Sequence, residues 1–453
     1  MPRRPKTTLV IDMPPAAESM SAPVAAATDR LDRTMFYGML ALLMFGPLAF
    51  GGNEPWAQFI ERTGALALFG MWAARQYCQG VVELSANPLH LPVACFALLV
   101  SFQFVTGVSA YRYATLTEAL DLIPGGVLIL VAGEVLTRRH RLHQCVLALS
   151  IFGSAVAVLA LMQDLSNSDR IYWLLKPESI SAVVYGPYAN HNHYAGLMEM
   201  LVPLAAAAAF LERGPKRGLL LFATAVMAMT IVFSRSRGGI LGLATAVVFV
   251  CAVFYRGNRR HRAALGILAV CVGVLVCAIF LGNDKILQRM MDTQDSYRLT
   301  IYSDCLRMWR DKPLFGFGWG TFPDVYPAYR SFYTNLLVNH AHNDYLELLV
   351  ETGLAGVALT VWFLSGVLGE AFRKILDKKD YEGSLLALGA TTGVVALLAH
   401  SALDFNLHIS ANAALFYVLC SAIATPYKHR VRQLSFARWE ASDVEPIAVE
   451  ARR

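Results

Sequence analysis

The sequence predicts an all-α, polytopic membrane protein of about twelve spans with one long loop on the outer face. Three observations carry this. First, of 453 residues 56% are hydrophobic and only 16% charged, where a soluble domain is roughly one-quarter charged. Second, apolar runs of about 18–22 residues recur along almost the whole chain, which is the length that crosses a bilayer. Third, Lys and Arg gather in short loops that alternate with those runs, the pattern that sets membrane orientation.

The spans fall, in order, at 35–53, 57–75, 91–109, 117–137, 144–163, 194–212, 218–234, 238–255, 263–282, 348–371, 384–404 and 411–427. Glu61 and Arg62 interrupt the second, and Glu118 and Asp121 open the fourth. Basic clusters occupy alternate connections: Arg138, Arg139 and Arg141; then Arg213, Lys216 and Arg217; then Arg256, Arg259, Arg260 and Arg262; then Arg373, Lys374, Lys378 and Lys379. Arg3, Arg4 and Lys6 near the start fall on the same side, as do Lys428, Arg430 and Arg432 near the end. Both termini are therefore expected in the cytoplasm. The net charge of +6 is a topology signal, and no nucleic-acid partner is expected.

The chain divides into a cytoplasmic tail 1–34, rich in Ala, Pro, Ser and charge and expected to be disordered; spans one to nine over 35–282; a loop 283–341; spans ten to twelve over 342–427; and a tail 428–453. The first apolar run begins too far in and is too long for a cleavable signal. Of eight Cys only Cys305 lies in the long loop, so no disulfide framework is expected there.

Chemistry is expected on the outer face. Tyr185-Gly186-Pro187-Tyr188-Ala189-Asn190-His191-Asn192-His193 closes one outer loop, and Asn190, His191 and Asn192 are candidate substrate contacts. Ser234-Arg235-Ser236-Arg237-Gly238-Gly239 is a tight outer connection. Two arginines there stand on the side that should be poor in them, which marks them as functional candidates. A guanidinium fork suits phosphate, and the glycines after Arg237 leave room for a ligand's approach. The alternative is that both arginines snorkel and cap a helical hairpin.

The long loop carries Arg298 in a stretch 298–310 that reads as an amphipathic helix. Leu299, Tyr302, Leu306 and Trp309 form one stripe, suited to a membrane surface. Pro313-Leu314-Phe315-Gly316-Phe317-Gly318 follows as a Gly-aromatic turn packed on the interface. It is no nucleotide loop, because no Gly-Lys-Ser/Thr follows it. Tyr326, Tyr329, Phe332 and Tyr333 suit an interfacial belt or sugar-stacking platforms.

His342-Asn343-Asp344 then opens the next apolar run. A neutral imidazole at the water–lipid boundary suits a general base; the alternative is a residue that merely anchors the helix start. Asp404, at the outer end of a later span, is positioned to pair with an outer arginine. His191, His193, His340, His342 and Asp344 raise a zinc reading, but their spacing is loose and no metal or other cofactor is expected.

These residues resemble the O-antigen ligase and polymerase family of bacterial membrane glycosyltransferases. His342-Asn343 with Gly353 matches the ligase signature of His, a small polar residue, nine residues and Gly. Gly356 departs from the small polar residue expected three positions later. Ser236-Arg237-Gly238 matches the family's mid-chain Arg, and Arg298 ahead of Pro313-Leu314-Phe315-Gly316-Phe317-Gly318 matches its loop Arg. The likeness spans roughly 185–410. It implies a GT-C-like helical fold and a periplasmic active site. It implies inverting, metal-independent transfer of a glycan from undecaprenyl diphosphate to lipid A–core, with a second lipid-linked glycan as the alternative acceptor. His342 would act as base, Arg237 and Arg298 would meet the diphosphate, and Arg235, Asn343, Asn190, His191, Asn192 and Asp404 would contact substrate. A transporter of lipid-linked glycans is the rival reading, since about twelve spans suit that class.

Overall fold

A computed structural model describes residues 22–177, 183–255, 296–335, 337–426 and 431–434. Within these limits the protein is an all-α polytopic membrane protein. Every span read from the sequence forms a helix except 263–282, which lies outside the described residues, as does 283–295 of the long loop. The helices are α1 (Ala22–Leu48), α2 (Pro55–Gln79), α3 (His90–Thr106), α4 (Arg112–Val135), α5 (Arg139–Leu165), α6 (His191–Leu211), α7 (Pro215–Phe233) and α8 (Arg237–Tyr255). After the undescribed stretch come α9 (Ser296–Asp311), the single turn α10 (Phe322–Val325), α11 (Asp344–Ile375), α12 (Tyr381–His400) and α13 (Ser410–Ala424). Six of these are long and apolar enough to cross a membrane: α4, α5, α6, α7, α11 and α12.

The first helix begins at Ala22, inside the segment read as a disordered tail. The reason is tertiary. Asp32 pairs with Arg75 of α2 at 2.9 Å and approaches Arg141 of α5 at 3.6 Å, while Arg75 also reaches Glu134 at 3.1 Å. A polar network at one end of the bundle thus extends the helix beyond its apolar part. Beside it, β1 (Val82–Ser85) pairs antiparallel with β2 (Val431–Leu434), so the segment after the last helix is not wholly irregular.

The centre of the bundle is α6 against α12, with α7 and α5 on the far side of α6 and α8 beside α12. Of the apolar window of α6 and of α12, 83% is buried in each. Their side chains therefore face protein, and a polar residue on either must find a protein partner.

The long loop has its own small core. Ile301, Cys305 and Met308 of α9 pack with Phe317, Phe322, Tyr326, Ala341 and Val350. Leu299 and Leu306, in the stripe read as suited to a membrane surface, are exposed, and a second, buried face lies round the helix from them. Asp304, fully buried, anchors that face. It accepts from Tyr326 Oη at 3.0 Å and from Ser331 N and Oγ at 3.1 and 2.8 Å. Tyr326 is therefore a core residue, while Tyr333 stands out in the open.

The Gly-aromatic turn runs along a break in α11. Gly353 has φ 61° and ψ −163°, a conformation essentially reserved for glycine. The backbone groups near the break bond to the turn. Leu354 N donates to Pro313 O at 2.9 Å and Ala355 N to Leu314 O at 3.0 Å, while Phe317 N donates to Val350 O at 3.0 Å and Gly318 N to Glu351 O at 2.9 Å. A Cβ on Gly353 would stand 2.4 Å from the Leu314 carbonyl carbon. Gln103 of α3 closes the junction. Its amide donates to Phe315 O at 2.6 Å and Glu351 O at 2.8 Å, and its carbonyl accepts from Trp319 N at 3.1 Å.

Candidate active site

The site grows from the end of α12. That helix stops at His400, four residues before the expected end of the span, so Asp404 lies in a loop. A helix end leaves carbonyls unpaired. Here the carbonyls that directly follow the helix are met by groups from elsewhere in the chain. Ser401 O accepts from Asp344 N at 2.9 Å, Ala402 O from Asn343 Nδ2 at 2.9 Å, and Leu403 O from Arg298 Nη1 at 3.0 Å. Three consecutive carbonyls thus dock α11 and α9 onto one loop, and a guanidinium at a helix C-terminus is favoured by the helix dipole.

Asn343 is also the N-cap of α11, accepting from Tyr345 N and Leu346 N at 3.0 Å each. His342 precedes it with φ 50°, in the left-handed region that a non-glycine residue rarely occupies. Tyr302 of α9 donates to the His342 carbonyl at 2.9 Å and so holds that strained peptide. The imidazole Nδ1 lies 3.2 Å from Asp404 Oδ1. Asp404 is 1% exposed and His342 34% exposed, so the carboxylate is enclosed while the far side of the ring stays accessible. No described residue bonds to His342 Nε2. Asp404 also accepts from Phe405 N at 2.9 Å, and its other oxygen has no partner among the described residues. Burial alone would raise its pKa. The hydrogen bond from His342 and the charges of His193, His342 and His400 outweigh that and hold the carboxyl well below the usual range.

Phe405 is the hub of the arrangement. His340 stacks on it at 4.1 Å between ring centroids, and His193 and His342 meet it edge-on at 4.8 and 5.1 Å. The two His-rich stretches read from the sequence therefore converge on one phenyl ring. Asn190 caps α6 by accepting from Asn192 N at 2.9 Å, and His191 N donates to Val183 O at 2.9 Å. Asn190, His191 and Asn192 thus order the start of α6 and bring His193 to Phe405.

Arg237 is the first residue of α8 and Ser236 caps it, with Gly239 N donating to Ser236 Oγ at 3.0 Å. The backbone at Gly238 lies against the His400 ring, which puts Arg237 beside the end of α12 and hence near the loop that holds Asp404. Arg235 turns the other way. It has φ 61° and its Nη2 lies 3.9 Å from Asp164 at the end of α5. The structure therefore gathers His342, Asn343, Arg298 and Asp404 on one loop, brings Arg237 beside it, and sets Arg235 apart. Asp404 faces His342 rather than an arginine.

Behind His340 stands a second polar cluster that sequence reading missed. Glu347 accepts from His340 Nδ1 at 2.8 Å and Ala341 N at 2.8 Å. His408 contacts Asp344 through Nδ1 at 2.9 Å and Glu347 through Nε2 at 3.4 Å. Burial would lower the pKa of His408, but Glu347 and Asp344 raise it to about 10. His340, Glu347 and His408 bring one ligand atom each within 4.8 Å of one another, a set able to hold a divalent ion. The hydrogen bonds account for the cluster equally well. Of the five residues in the zinc reading, His340 belongs to that ligand set and Asp344 borders it through His408, while His191, His193 and His342 lie outside it. The cluster lines a cavity of about 1020 Å³ between α2, α3, α4, α11 and α13. One signal was available: Glu347 and Glu351 stand four apart in an apolar run, and ionisable residues there are functional candidates. Phe405 gave no signal.

The O-antigen ligase family model matches residues 222–361, from within α7 to within α11. That stretch holds Arg235, Arg237, Arg298, His342 and Asn343; Asp404 and the Asn190–Asn192 cap lie outside it. No curated protein matches the chain.

Proposed function

We infer, from a chain that belongs through residues 222–361 to the O-antigen ligase and polymerase family, an inverting glycosyltransferase of the bacterial inner membrane. It moves a glycan from undecaprenyl diphosphate to an acceptor hydroxyl at the periplasmic face. The acceptor we propose is lipid A–core, because His342-Asn343 with Gly353 follows the ligase signature. Both termini lie in the cytoplasm, as the basic loops require. The observation that carries this reading is the His342–Asp404 pair at 3.2 Å, with Arg298 bound to the same loop through Leu403 O at 3.0 Å.

In the proposed reaction, His342 Nδ1–H faces Asp404, which leaves Nε2 as the acceptor of a proton. Nε2 takes the proton of the acceptor hydroxyl. The oxygen attacks the anomeric carbon from the face opposite the diphosphate, and a new glycosidic bond forms as the carbon–oxygen bond to the diphosphate breaks. Undecaprenyl diphosphate leaves with the bonding electrons. Arg237 and Arg298 oppose the charge growing on it, a stabilisation that is often the largest catalytic contribution. With two guanidiniums in that role the transfer is proposed to be metal-independent. Asn343 sets the angle at which His342 meets Asp404, and Asn190, His191 and Asn192 shape the neighbouring wall. Arg235 is proposed to contact the donor farther out.

The test uses purified protein in detergent with undecaprenyl-diphosphate-linked glycan, in the presence of EDTA. Lipid A–core and a second lipid-linked glycan are offered as acceptors. The expected result is EDTA-resistant transfer to lipid A–core that is lost in His342→Ala. Transfer to the second glycan alone would make the protein a polymerase. Absence of transfer to either, with lipid flipping intact in liposomes, would overturn the enzyme reading.

A further inference from the structure

Glu199 and His400 form a hydrogen-bonded pair at the centre of the bundle, on α6 and α12, with His400 Nδ1 at 3.0 Å from Glu199 Oε1. Both side chains are fully buried, and nothing in the proposed chemistry uses them. Glu199 Oε2 and His400 Nε2 have no hydrogen-bond partner among the described residues. A buried pair with two unsatisfied atoms is a poor device for stability, since desolvation offsets most of the attraction. Such pairs are best attested where they fix register between elements.

The packing around the pair points to that use. The face of α8 laid on it is glycine at both contact points. A Cβ at Gly238 would fall 2.3 Å from His400 Nε2, and one at Gly242 would fall 2.6 Å from Glu199 Oε2. The backbone of α8 therefore covers the two unsatisfied atoms directly, one turn apart. Gly238 follows Arg237, and His400 is the last residue of α12 before the loop that ends in Asp404. The pair thus touches both elements that carry the proposed site.

We propose that Glu199 and His400 are a buried positioning pair, which keys the Arg237 end of α8 to the Asp404 loop so that the phosphate-binding and proton-accepting sides stay in register. The proposal rests on the reading that Arg237 and Asp404 serve glycan transfer. Neither Glu199 nor His400 touches substrate; the pair acts by setting where Arg237 stands relative to the Asp404 loop.

The experiment is a double-mutant cycle on the full-length protein, with transfer rates measured at saturating donor and across donor concentration. His400→Ala is expected to lower kcat by about 10- to 100-fold, the scale of a small misplacement of a catalytic group. In an Arg237→Ala background the same change is expected to cost less than about twofold, because the group it positions is already gone. His400→Gln keeps a donor toward Glu199 and is expected to recover most of the activity. Gly242→Ala, which presses on the pair without removing a charge, gives the same signature and serves if His400→Ala does not fold. Equal losses in both backgrounds, or full kcat in folded His400→Ala and Gly242→Ala, overturn the positioning pair. Undiminished transfer by Arg237→Ala alone would instead sink the reading beneath it, so the two failures are distinguishable.

Discussion

Asp404 does two things with one oxygen: it accepts from Phe405 N and fixes the His342 ring. Replacing it by Asn keeps the shape but lets the amide present a donor to Nδ1, which favours the tautomer that cannot accept a proton at Nε2. Asp404→Asn is therefore expected to lower kcat by about 10²–10⁴-fold, the range of general-base assistance, and also to lower the melting temperature, because a carboxyl held below its usual range contributes stability at neutral pH; steady-state assays on folded protein and a melting curve check both. His408 titrates in the opposite sense. Its folded pKa is raised from 6.5 to about 10, so the stability it contributes is fully present below about 6.5 and is lost as pH rises through about 10. The melting temperature is expected to fall between neutral pH and about pH 10, and Glu347→Gln should flatten that decline by removing the largest cause of the shift. A melting temperature of the native protein that stays level over this range would contradict the His408 assignment.

Among the elements, α11 is the one whose shape depends on a single residue. Gly353 breaks the helix, and the turn 313–318 fills the break with four backbone hydrogen bonds. Gly353→Ala puts a methyl into the Leu314 peptide and forces a conformation that costs a non-glycine residue about 1–3 kcal/mol before the clash is counted. A lowered melting temperature with transfer activity lost in parallel is the expected outcome. Gln103 is the other support of that junction, because its side chain serves two carbonyls and one N–H. Gln103→Leu removes the side-chain partner of Phe315 O and Trp319 N, at up to about 1–3 kcal/mol for each, while Glu351 O keeps its bond from Gly318 N. Hydrogen exchange of residues 313–322 is expected to speed up in this variant while α6 and α12 remain protected.

The whole molecule is a bundle whose proposed chemistry lies at the end that carries the long loop. The proposed topology puts that end outside and both termini inside. Tyr333, 83% exposed on the long loop, and Arg213, in a basic connection, belong on opposite sides. In a background without the exposed Cys78, Tyr333→Cys is expected to react with a membrane-impermeant maleimide added to spheroplasts, and Arg213→Cys only after the membrane is opened. Labelling of both from one side would contradict the topology. Within this molecule the cavity of about 1020 Å³ is lined by His340 but not by His342, and among the described residues Arg62 is the one arginine or lysine in its wall, paired with Asp121 at 2.7 Å.

What the sequence determined by itself was whatever depends on local composition and period. Apolar length gave the helices, basic loops gave the proposed topology, and the order of Arg237, Arg298, His342-Asn343 and Gly353 pointed to the family. It did not say which face of α9 the protein would bury. The stripe through Leu299 and Leu306 was as periodic as the buried one, and only the contact of Ile301, Cys305 and Met308 with the rest of the loop distinguished them. Tertiary structure decided everything that depends on residues far apart in the chain. Asp404 and His342 are partners only because the carbonyls after α12 dock the start of α11. Phe405 joins two His stretches that lie about 150 residues apart. Glu199 meets His400 across two helices of the bundle. Hydropathy sums over neighbours in sequence, whereas a site of this kind is built from neighbours in space, and a helix end with unpaired carbonyls does not announce which distant groups will meet them.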